Sequence, residues 1–224
     1  MSRKRYPLVN ECIYHVLNRG VASSPIFNNK KDYQSLLERM VYYRNTNPLV
    51  RYSYFVNLPF ERKLEVLANI ERENSYLVDI ISYCYMPNHW HLLLKQNIED
   101  GISIYINRLS NSYARYFNTK HNRKGPMFQG RFKSVLIEND KQLLHTSRYI
   151  HLNPYSSKVV SSINELENYQ FSSFSEYISQ VGRRICKNEI ILNNFKKINS
   201  YKSFILDRAD YQRKLEKYKH LFIE

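Results

Sequence analysis

Residues 85 to 95 read YMPNHWHLLLK, and two histidines flank the only tryptophan of the chain. Side chains alternate along an extended strand, so His89 and His91 project from one face and Trp90 from the other. Imidazole nitrogen binds divalent metal at roughly 2 Å, and residues two apart can share one ion if a third ligand comes from elsewhere. On the pair alone, two histidines satisfied by hydrogen bonds at a sheet surface are the favoured reading. A second candidate group lies in HTSRYIHLNP, residues 145 to 154. On a helix, His145, Tyr149 and Asn153 form one stripe beside the apolar stripe of Leu143 and Ile150. Tyrosine can act as a covalent nucleophile on a phosphodiester activated by a divalent metal, and Asn153 could supply the third ligand. A packed aromatic is the alternative for Tyr149.

Charge indicates what such a site would act on. The chain has 34 Lys and Arg against 20 Asp and Glu, a net charge of +14 that favours a polyanionic partner, nucleic acid ahead of anionic membrane. From Gly101 to Ile137 no acid occurs, while Arg108, Arg115, Lys120, Arg123, Lys124, Arg131 and Lys133 all fall there. Tyr105, Tyr113, Tyr116, Phe117 and Phe128 are interleaved. Cations for phosphates and rings for bases suit single-stranded nucleic acid. A solvated basic face over core aromatics is the other reading, and the one favoured for Tyr113 and Phe117 individually.

The elements that must position these residues follow from pattern. ECIYHVLNRG reads as a strand ended by Gly20, and NKKDYQSLLERMVYYR as an amphipathic helix. Residues 45 to 77 contain Pro48, Pro59 and the charged helical stretch FERKLEVLANIERE, and look like a peripheral insert. YLVDIISYCYM and HWHLLLK form a hairpin turned by MPN, and Ile102, Ile106, Leu109, Tyr113 and Tyr116 mark the next helix. MFQGRFKSVLI is read as a strand, and Asn139 or Asp140 caps a helix that Pro154 is expected to stop. Strand, helix, strand, strand, helix, strand, helix predicts an α+β ferredoxin-like sandwich on a mostly antiparallel sheet. A helical carboxy-terminal extension, residues 155 to 224, is expected to pack on a core of residues 1 to 154. Cys12, Cys84 and Cys186 show no paired spacing and are read as structural thiols. No signal peptide or membrane span is expected, which points to a cytoplasmic protein.

Four stretches in this order, YHVLNRG, YCYMPNHWHLLLK, NSYARYFNTKHNRKGPMFQGRFKS and SRYIHLNPYSS, resemble the single-tyrosine HUH transposases. The closest likeness is to their IS200-like, REP-associated tyrosine transposase branch, and YQFSSFSEYI extends it over nearly the whole chain. The resemblance implies that His89 and His91 bind a catalytic Mg2+ or Mn2+ ion, that Tyr149 is the nucleophile and that Asn153 completes the metal shell. It further implies cleavage of single-stranded DNA beside hairpin or palindromic elements through a 5′-phosphotyrosine link, and rejoining without ATP. The insert and the long carboxy terminus depart from the shortest members, which leaves hairpin choice and a monomeric or homodimeric state open. The competing readings are a domesticated single-strand-binding protein without turnover and a metal-dependent nuclease that uses water.

Overall fold

The computed structural model describes residues 8–179 and 185–218, with side chains described to residue 215. Part of the amino-terminal stretch for which no signal peptide is expected, residues 1–7, lies outside that range. Strand β1 (Ile13–Arg19) leads to helix α1 (Lys30–Tyr43), the insert helices α2 (Tyr52–Phe55) and α3 (Phe60–Glu73), and the hairpin β2 (Val78–Met86) and β3 (His89–Gln96). Helix α4 (Gly101–Lys120), strand β4 (Lys133–Ile137) and helix α5 (Asp140–Ser156) follow. The chain then forms α6 (Ile163–Glu167), α7 (Phe174–Ile178), α8 (Glu189–Leu192), α9 (Ile198–Leu206) and α10 (Ala209–Tyr218). The four strands form one antiparallel sheet in the order β2-β3-β1-β4, the order expected of two interleaved β-α-β units.

Apolar spacing decides the layers. On α4, Ile102, Tyr105, Ile106, Leu109, Tyr113 and Phe117 are buried as one helical stripe, which packs against α1 and the sheet. Tyr85, which pairs with Trp90 across the hairpin and so shares its face, reaches Met40 of α1 with its hydroxyl. Helices α1 and α4 therefore cover the Trp90 face, and α5 lies against the His91 face. Strand β2 is buried throughout although it is an edge strand, because residues 171–173 run along its outer side, with Tyr85 N donating to Phe171 O and Ser173 N to Tyr83 O. Strand β4 is the exposed edge.

Two sequence expectations are corrected. The strand expected over 127–137 is confined to 133–137, since Gly125 and Gly130 take positive φ and the intervening residues loop past the end of β1. Pro154 does not stop α5, which continues to Ser156. A proline this near the end costs one N–H donor in the last turn, and Ser157 N still closes on Asn153 O. The cap expectation resolves to Asn139, whose Oδ1 accepts from Gln142 N at 2.9 Å. Gly20 does end β1, where a Cβ would collide with the Ser24 carbonyl oxygen.

Candidate active site

The hairpin register sets the site. His91 sits mid-sheet, opposite Cys84 of β2 and Leu17 of β1, and His89 is opposite Arg19. Residues directly opposite share a face, so His15, Leu17 and Arg19 of β1 line up with His89, His91 and Leu93. The His89 and His91 rings meet edge to face, 4.9 Å between centres. The diagonal places His15 Nε2 at 2.9 Å from His91 Nδ1, the rings stacked at 5.1 Å. From the facing helix α5, the Tyr149 ring stands edge-on to both, 5.5 Å from His91 and 6.0 Å from His15.

Hydrogen bonds define the imidazoles. Asn88 Nδ2 donates to Ser23 O at 3.1 Å, which turns its oxygen to His89 Nδ1 at 2.6 Å. That oxygen can only accept, so the proton of neutral His89 is on Nδ1 and the lone pair on Nε2. Burial lowers the pKa of His15 to about 4, so this ring is uncharged at neutral pH. Asn153 is only 3% exposed; its Oδ1 accepts from Ser157 Oγ at 3.2 Å, and its buried Nδ2 has no hydrogen-bond partner. A half-turn of the amide exchanges the two atoms, so the one Ser157 does not use can be the oxygen. Among the described residues no group of three or more His, Cys, Asp or Glu could hold a metal. A divalent ion on His89 and His91 would thus need a ligand of another type, and an amide such as that of Asn153 would make a neutral nitrogen and oxygen donor set suited to a hard or borderline cation.

The other face of α5 is an anchor. Ser147 and His151, one turn apart, both reach the Tyr201 hydroxyl of α9 at 2.7 Å, and His151 Nε2 meets Ser173 Oγ at 2.8 Å. Burial lowers the pKa of His151 to about 3. Gln212 of α10 donates to the Tyr149 carbonyl at 3.2 Å.

The structure brings together His89, His91 and Tyr149, with Asn153 one turn further along α5, but it does not gather the basic residues around them. Lys133 lies on the histidine face, opposite Leu17, and is exposed, as are Lys124 and Arg131. Arg108, Arg115 and Lys120 ride on α4, across the sheet from Tyr149. There Arg108 donates to the Asn45 and Thr46 carbonyls at 3.2 and 3.0 Å, and Lys120 is held 2.7 Å from Asp32. These three line a groove with Arg39, Arg51 and Tyr116. Arg123 donates to Asn118 and lies over Phe117. Of the interleaved rings, Tyr113 and Phe117 are buried in the core, as their spacing favoured; Tyr105 and Phe128 are buried as well, and Tyr116 is half-buried. Sequence reasoning missed His15 and Arg19, though alternation from His15 through Leu17 to Arg19 in the first strand was the signal for both.

With this geometry in place, comparison gives the class. The family model described as "Transposase IS200 like" matches residues 37–153, just over half of the chain and inclusive of His89, His91, Tyr149 and Asn153, and the chain belongs to that family. A Haemophilus influenzae (strain Rd) protein assigned as a REP-associated tyrosine transposase is 28% identical over 109 residues, 44% of this chain; the chain spans 60% of that relative's length. A solved REP-associated tyrosine transposase bound to a REP hairpin superposes with a TM-score of 0.52 at 16% identity, over 84% of this chain and 97% of that one, a likeness of fold. No helix among the described residues is long and apolar enough to cross a membrane.

Proposed function

We propose that this chain cleaves and rejoins single-stranded DNA beside hairpins, with Tyr149 as nucleophile and His89, His91 and Asn153 as ligands of one Mg2+ or Mn2+ ion. The observation that carries the reading is the meeting of the β3 histidines with the α5 tyrosine, ring centres 5.5 Å apart between Tyr149 and His91. The hairpin as substrate is supported by the REP hairpin held by the structural relative. When bound, the ion would withdraw charge from a non-bridging phosphate oxygen. The Tyr149 oxygen attacks phosphorus as the bond to the 3′ oxygen breaks; the phenol loses its proton and the departing oxygen gains one. The products are a 5′-phosphotyrosine and a free 3′-hydroxyl, and attack by another 3′-hydroxyl reverses the step without ATP. Arg19, Arg131 and Lys133 would hold phosphates near Tyr149, with Arg123 and Lys124 on the approach loop, while the groove of Arg108, Arg115 and Lys120 would take a separate stretch of the DNA. In this reading residues 1–154 form the catalytic unit, interrupted by the insert at about 45–77, and the extension at 155–224 braces α5 through Ser173, Tyr201 and Gln212.

A labelled hairpin with single-stranded flanks and Mn2+ tests it. Wild-type protein should give a protein–DNA adduct that survives denaturation, EDTA should abolish it, and Tyr149→Phe should retard the hairpin on a native gel without forming the adduct. Cleavage by Tyr149→Phe would establish a water-using nuclease instead, and retention without cleavage by wild type a binding protein.

A further inference from the structure

We propose that His15 is a positioning residue: its Nε2 accepts the Nδ1–H of His91 and so holds that ring in the tautomer whose Nε2 can bind a divalent cation. Nothing in the family match covers this position, which precedes the matched span of 37–153. The contact is direct, 2.9 Å between the two nitrogens, and it follows from register, since His15 is opposite Leu93 and Leu17 opposite His91. A neutral imidazole carries one proton, and the nitrogen that keeps it cannot be a ligand. If His15 donated in this bond, the His91 proton would sit on Nε2 and that nitrogen would be lost to metal. If His15 accepts, His91 holds its proton on Nδ1 and its lone pair on Nε2. A ligating histidine ordinarily donates its other N–H to a fixed acceptor, which orients the ring. His89 has such an acceptor in Asn88 Oδ1 at 2.6 Å, so with His15 in place both histidines of the pair are set alike. The acceptor for His91 is unusual only in being another imidazole.

The inference rests on the metal reading above, and two measurements separate them. In metal-free protein at neutral pH, long-range proton–nitrogen correlation of labelled histidines should find the His91 proton on Nδ1; a wild-type His91 protonated on Nε2 overturns the proposal without any variant. His15→Gln, whose amide oxygen can accept, should keep that tautomer, and His15→Phe, which fills the space without an acceptor, should lose it. Manganese titration followed by electron paramagnetic resonance, without DNA, should then show His15→Phe weakened about 10–100-fold and His15→Gln within a few-fold of wild type. Equal weakening of both variants would mean that His15 only packs, and overturns the role. His91→Ala impaired beside an unimpaired His15→Phe overturns the role alone, whereas His91→Ala binding manganese like wild type removes the metal site and the role with it.

Discussion

His151 should make the fold acid-sensitive. Its ring is fully buried between Tyr201 and Ser173, and burial lowers its pKa from the ordinary 6.5 to about 3. Between those values the unfolded chain takes up a proton that the folded chain refuses. The unfolded state then binds more protons, so stability rises with pH across this window and is lost as pH falls through it. Each pKa unit corresponds to about 1.4 kcal/mol, so this one group should remove on the order of 4–5 kcal/mol between pH 6.5 and pH 3. That is a large part of the 5–15 kcal/mol typical of a domain, at about 0.1 kcal/mol per residue. Above pH 6.5 the ring is neutral in both states and contributes no slope. Urea unfolding of wild type and His151→Gln at stepped pH isolates the effect, because His15 and the carboxylates titrate in both proteins and cancel. The glutamine variant should be less stable at pH 7.5, by about 1–3 kcal/mol for imperfectly replaced buried hydrogen bonds, yet lose less on acidification. Parallel stability curves for the two proteins would refute the reasoning.

Two further outcomes follow from particular contacts. Asn139→Ala removes the side chain that caps α5 at Gln142 N and should cost about 1 kcal/mol, seen as a lower melting temperature with unchanged helix content. For single-stranded DNA, neutralising Arg19, Arg131 or Lys133 should each reduce the log–log salt slope of binding by about 0.7, while Lys120→Gln, whose ammonium is already paired 2.7 Å from Asp32, should change it less; equal effects would mean that these three exposed cations have no special part in binding.

Strand alternation placed His89 and His91 on one face from three residues of sequence, and helical spacing placed Tyr149 and Asn153 on one stripe of α5. Both are short-range consequences of backbone geometry, which is why they were legible. The side of the sheet on which a helix lies is a long-range property, and the periodicity of α4 says only which of its own faces is buried. Hence Arg115 could be read as a surface cation but not as one lying across the sheet from Tyr149. The same limit hid His151: its partners, Tyr201 and Ser173, come from distant segments, and nothing local distinguishes an anchoring histidine from a catalytic one. Tyr105 and Phe128 misled in the opposite way, because a ring suited to stacking on a base is equally suited to a core, whereas the helical spacing of Tyr113 already favoured burial.

The two-sidedness of α5 imposes a condition on length that substitution never tests. Tyr149 looks toward His91 and His151 toward Tyr201, from opposite sides of the same turn. One residue added between them would rotate all that follows by about 100° and advance it by about 1.5 Å. The helix would then have to choose its phase, seating either the tyrosine against the histidines or the anchor against α9. The count of residues between Tyr149 and His151 is therefore fixed by two partners on opposite sides of the helix.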